Sequence, residues 1–132
     1  DKKIFLLRTL TFFIVEEMSQ RSLIKLAIQY FTRRGYKIDK NPSLQNNNIK
    51  SSKNFDLLVR RGSEVCPVWI KNWNRTVGVN IVISIDKFAQ SAGFSNPILI
   101  AEKFSEHAKA YASRRGIKLI TKADILRGIK SL

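Results

Sequence analysis

The feature that most constrains the fold is a pair of short apolar runs, Pro97–Ala101 (PILIA) and, interrupted once by Lys118, Ile117–Ile120 (IKLI), separated by one helix's length of polar chain. A strand that reads as continuously apolar is covered on both faces. The intervening segment begins at Ser105, a capping residue, presents Ala108, Tyr111 and Ala112 on one side, and stops at Gly116 after Arg114-Arg115. After the second run, Thr121-Lys122-Ala123-Asp124 approximates a capping box with Asp in place of Glu, and opens a last helix through Ile129. This β-α-β-α order predicts parallel right-handed crossovers and an α/β fold with a central sheet flanked by helices.

The upstream half completes that sheet. From Ser19, the residues Leu23, Ala27, Tyr30 and Phe31, with Ile24 and Ile28 beside them, form a helical stripe that ends at Gly35. Tyr36–Lys40 reads as a short strand, and residues 41–53, with three consecutive asparagines, as a mobile loop. Phe55–Arg60 and Glu64–Lys71 alternate as two strands around an Arg61-Gly62-Ser63 turn, and Pro67 suggests an edge or irregular position. Ile81, Val82, Ile85, Phe88, Ala89 and Ala92 repeat at helical spacing up to Gly93, so the period overrides their β-branching. Antiparallel hairpin and parallel tail together make the sheet mixed.

Residues 1–18 stand apart as an apolar N-terminal extension without a clean helical stripe, ahead of a domain at 19–132. That extension can be the end of a helix, an added edge strand or a homodimer contact. Its apolar stretch, Ile4–Val15, is interrupted by Arg8 and falls short of the roughly 20 residues a membrane span needs.

Among 132 residues, 24 Lys and Arg face 10 Asp and Glu, a net charge of +14. So large an excess on so small a body raises its self-repulsion, which a polyanion relieves. DNA is the expected partner and a membrane is not, since the cations cluster at element ends: Arg33-Arg34, Arg60-Arg61, Lys71 with Arg75, and Arg114-Arg115. One Cys, Cys66, and one His, His107, exclude an internal disulfide and the usual zinc sites, and point to a reducing, cytoplasmic setting. Phosphate-binding glycine loops are missing, so nucleotide hydrolysis is set aside.

The candidate site lies on the hairpin. Asp56 begins its first strand and Lys71 lies fifteen residues on, near the end of the second, where antiparallel pairing brings the two to the same end of the sheet. Trp69 lies on the same face as Lys71, and the run from Lys71 through Asn72, Trp73 and Arg75 is basic, polar and aromatic together. It leads into a helix start, where free N–H groups favour phosphate. Two readings stay open for each group. Asp56 is a metal ligand or a strand-end partner of Lys71 or Arg60. Trp69 is core filling or, with Trp73, a surface on which bases stack.

The spacing of Asp56 and Lys71, after a helix closed by Gly35-Tyr36 and before the α-β-α-β tail, resembles the PD-(D/E)xK nuclease superfamily over residues 19–129. Its Mrr-like restriction endonucleases and archaeal Holliday-junction resolvases are the nearest in pattern. The resemblance implies a restriction-endonuclease-like three-layer fold and a Mg²⁺-dependent endodeoxyribonuclease in which Asp56 holds metal and Lys71 orients or activates water. The pattern departs at two places. Trp69 stands where the superfamily has an acid or Gln, and residues 19–34 contain no acid where many relatives have Glu. The expectation is a DNA-binding domain with degenerate catalysis, contacting DNA through Arg60, Arg61, Trp69, Lys71, Asn72, Trp73 and Arg75. An active endonuclease, with Asn72 or Glu64 supplying the missing coordination, and a non-enzymatic interaction module are the alternatives.

Overall fold

Chain order and pairing build a five-stranded mixed sheet in the computed structural model, which describes residues 2–40 and 55–130, with 12–19 and 40 described by their backbone. Among the described residues the elements run α1 (Lys2–Arg33), β1 (Lys37–Lys40), β2 (Leu57–Arg61), β3 (Glu64–Val77), α2 (Val79–Ala92), β4 (Ile98–Phe104), α3 (Glu106–Arg115), β5 (Lys118–Thr121) and α4 (Lys122–Lys130). Strand order is β1-β2-β3-β4-β5. The first three strands pair antiparallel and the last three parallel. The asparagine-rich loop expected at 41–53 falls outside the described residues.

Two apolar layers sandwich the sheet, as strand alternation dictates. Leu57, Val59, Val68, Ile70, Ile100 and Ile120 face α1 and α4, meeting Leu23, Phe31 and Ile125. Trp69, Leu99 and Ala101 face α2 and α3, meeting Val82, Ile85, Ala108 and Ala112. The predicted caps form as read: Ser105 Oγ accepts from Ala108 N–H at 3.1 Å. In the box, Asp124 N–H donates to Thr121 Oγ1 at 3.1 Å while Asp124 Oδ2 accepts from Thr121 N–H at 3.0 Å. Pro67 sits inside a central strand, but pairing with β4 begins only at Val68.

Two sequence expectations change. The N-terminal extension is continuous with the first helix: α1 runs 32 residues without a break at 18 and 19, and Ser19 lies inside it instead of capping it. No Gly or Pro occurs before Gly35, so nothing interrupts the helix. Gly35 stops it with φ +87°, while Tyr36 N–H returns to the Phe31 carbonyl at 2.9 Å. The early turns carry Phe5, Leu6 and Leu7 at 71%, 59% and 64% exposure, which is why they show no one-sided stripe. No described helix is long and apolar enough to cross a membrane.

The second change is the length of β3, which extends to Val77, beyond Lys71 where the returning strand was expected to close. Its outer part pairs with β4 through Thr76 and Val77, opposite Lys103 and Phe104, after an irregularity between Lys71 and Thr76. Non-local pairing overrides the polar composition of that stretch.

Candidate nucleic-acid interface

β2 begins at Leu57, opposite Val68, so β3 continues past its partner with an open edge. Two side chains cover that edge. Asp56 N–H donates to the Val68 carbonyl at 2.9 Å, and Asp56 Oδ2 accepts from Ile70 N–H at 2.7 Å. Next along the edge, Gln20 of α1 donates from Nε2 to the Ile70 carbonyl at 3.0 Å and accepts at Oε1 from Asn72 N–H at 3.2 Å. Its amide thereby takes the place of a strand's peptide group. Sequence reading missed Gln20. The available signal was a polar residue at helical spacing from Leu23, Ile24 and Ala27, on the stripe that meets the sheet.

Asp56 is partly buried, and burial pushes its carboxyl above the ordinary carboxylate range, opposed by the Ile70 N–H and the nearby Lys71 ammonium. The structure therefore brings Asp56 and Lys71 to one end of the sheet. Trp69 is 5% exposed and is enclosed edge-on by Phe55 at 6.2 Å and Phe88 at 5.6 Å between ring centroids. The indole is core filling, with no open face for a base.

Trp73 differs. It is partly buried against the α2–α3 layer, and it supports two cations, the Lys71 ammonium 5.5 Å and the Arg75 guanidinium 4.3 Å from its ring centroid. Alternate positions on one strand put Lys71, Trp73 and Arg75 on one face. The ring holds the cations in place, a contact worth about 0.5–1 kcal/mol each at exposed sites. Asn72, on the opposite parity, gives its backbone N–H to Gln20.

Arg60 and Arg61 do not join this group. They lie at the hairpin, where Arg61 pairs with Glu64, about 17 Å from Asp56 along the strand at roughly 3.4 Å per residue. Arg60 faces Asp39 at 3.7 Å. Arg61 stacks on Tyr36 at 4.4 Å and donates to the Arg34 carbonyl at 3.3 Å. The extended chain separates residues that are near in sequence. The same separation removes Glu64 as a source of missing coordination. It instead accepts from Cys66 Sγ at 3.2 Å. Burial, then that bond, pushes the thiol up to about 12, so Cys66 stays protonated and is no nucleophile. His107 is exposed on α3.

A Mg²⁺ ion needs octahedral oxygen ligation. Here Asp56 Oδ2 already accepts the Ile70 N–H, Trp69 offers no oxygen, both polar atoms of the Gln20 amide are engaged with β3, and no group of three or more His, Cys, Asp or Glu among the described residues could hold a metal. These residues do not fit a protein-built Mg²⁺ site of the kind the superfamily pattern implies.

Comparison with known proteins agrees with the fold. No curated protein matches the chain. A solved structure described as a protein of unknown function, AF1548, superposes with a TM-score of 0.60 at 19% identity, over 78% of this chain and 57% of that one. The chain thus spans little more than half of that protein's length, and the likeness concerns the fold alone. A family model described as a restriction endonuclease, the Mrr catalytic domain, matches residues 15–129. With its mixed sheet between two helical layers and Asp56 beside Lys71 in the middle of β3, the chain belongs to the Mrr-type restriction endonuclease family.

Proposed function

We propose that the chain is a DNA-binding domain that keeps the restriction-endonuclease fold and has lost metal-dependent phosphodiester cleavage. The observation that carries this reading is Trp69, seated in the core at the position of the second acid, with Phe55 and Phe88 closing around it. The retained Asp56 serves the sheet edge by accepting the Ile70 N–H.

Binding rests on Lys71 and Arg75, which Trp73 holds on the tail of β3. Beyond Lys71, Asn74, Arg75 and Thr76 are exposed. Phosphates meet such a row of cations by releasing condensed counterions, which accounts for the net charge of +14. The single Cys66, buried and reduced, suits a cytoplasmic setting.

Anisotropy of a labelled duplex tests the reading. Affinity is expected to fall steeply with NaCl, to be unchanged by EDTA, and to weaken in Lys71→Ala/Arg75→Ala. Supercoiled and branched DNA are expected to stay intact with Mg²⁺ or Mn²⁺. Metal-dependent nicking that disappears in Asp56→Ala overturns the loss of catalysis, and binding indifferent to salt overturns the DNA contact.

A further inference from the structure

A second group of cations lies away from the first contact. Between the end of α1, β5 and α4 lies an open cavity of about 430 Å³, lined by Tyr30, Arg34, Lys118, Asp124, Arg127 and Gly128 among others. Three of these side chains are cationic and one is acidic. Asp124 is already engaged, accepting from Thr121 N–H at 3.0 Å and from the Arg127 guanidinium.

The framework around the cavity is rigid. Arg34 lies over the Tyr30 ring at 4.2 Å, and Arg33 donates to the Ile129 carbonyl at 2.6 Å, tying α1 to α4. Gly128 permits the close approach: a Cβ there would meet Tyr30 at 2.7 Å and Arg34 at 2.9 Å. Arg61, bonded to the Arg34 carbonyl, extends the positive surface toward the hairpin.

Position separates this surface from the first contact. Lys118 pairs with Ile98, which pairs with Val68, whereas Lys71 and Arg75 lie further along β3. Faces differ too, since Tyr30 and Ile120 belong to the α1–α4 layer and Trp73 to the α2–α3 layer. The two groups therefore lie on opposite sides of the sheet.

We infer that Arg34, Lys118 and Arg127 form a second nucleic-acid contact, which takes the phosphodiester backbone of a second duplex segment while Lys71 and Arg75 hold the first. A polyanion fits better than a small phosphate ligand. The three cations are exposed and spread over three elements, so each would hold a lone phosphate weakly in water, whereas a chain of phosphates engages them together and releases counterions. The inference rests on the first contact being a DNA contact, and the experiment separates the two.

Capture of a free labelled duplex by a bead-bound duplex, at equal protein loading, reads bridging; anisotropy of a single duplex reads the first contact. Wild type is expected to bridge. Lys118→Glu, which leaves the Asp124–Arg127 pair intact, and Lys118→Gln/Arg127→Gln are expected to lower capture at least tenfold while single-duplex affinity changes less than threefold. Melting curves verify that both variants are folded. Wild type that binds one duplex and captures none overturns the second contact alone. Capture that survives in both variants also overturns it, and shows pairing of two copies through their first contacts. Failure of wild type to bind any duplex overturns both readings.

Discussion

The side-chain amide of Gln20 meets the backbone of Asn72 as one strand meets another, accepting its N–H at 3.2 Å while donating to the Ile70 carbonyl at 3.0 Å. A helix thus takes over the sheet edge beyond the first residue of β2. Lys71 lies between the two bonded residues, so this clamp fixes the strand that carries Lys71 and Arg75.

Gln20→Leu leaves the Ile70 carbonyl and Asn72 N–H without these partners, and is expected to destabilise the fold by about 1–3 kcal/mol. Gln20→Glu keeps an acceptor for Asn72 but loses the donor to Ile70, and is also expected to be less stable than wild type. Urea denaturation of both variants checks this, and wild-type midpoints in both would remove the clamp.

Asp56→Asn is expected to raise the melting temperature in EDTA near neutral pH. Asn keeps an acceptor for the Ile70 N–H and removes a charge that burial penalises. Because the native carboxyl titrates above its ordinary value, wild-type stability from this group falls as pH rises from about 3.9 through the raised native value. The advantage of the variant therefore shrinks on acidification. An advantage that grows toward acid would contradict the direction of the shift.

Acid acts in the opposite sense at Asp86, which is 7% exposed and joins α2 to α3. Burial opposes its charge, but bonds from Tyr111 Oη at 2.7 Å, Gln90 Nε2 at 3.3 Å and Arg115 Nε at 2.9 Å outweigh it and lower the native pKa. The stability it supplies is complete above the unfolded value of about 3.9 and is lost as pH falls through the lower native one. Asp86→Ala is expected to lose about 1–3 kcal/mol at neutral pH and to flatten the acid limb of the stability profile, as measured by urea titrations across that range.

Trp69→Ala is expected to destabilise by about 3–5 kcal/mol and Trp69→Phe by less. Trp69→Glu places an unpaired carboxylate among Phe55, Phe88 and Leu99, and is expected to disrupt the fold before it creates metal binding. Thermal melts with and without Mn²⁺ decide this; a folded Trp69→Glu protein stabilised by Mn²⁺ would show that a metal site can be built there by one change.

The parallel tail was legible in sequence because each of its elements carries its own boundary: Ser105 and Gly116 around α3, Thr121 with Asp124 at α4, and apolar runs for β4 and β5. Local chemistry settled local structure there. The outer part of β3 was not legible, since only its pairing with Lys103 and Phe104 makes a strand of it. Gln20 escaped for the same reason, its partners lying 50 and 52 positions away. The sequence placed Asp56 and Lys71 together correctly, because a hairpin turn counts residues back to the same level. Arg60 and Arg61 lie at the far end of the same hairpin, because a strand carries its residues apart quickly.

Along β3, positions 66–70 are buried and positions 74–76 are exposed. Substitutions in the first stretch are constrained by close packing, whereas side chains in the second face solvent and are constrained less. Within one strand, then, the inner stretch holds the fold while the outer one is left to meet whatever lies outside it.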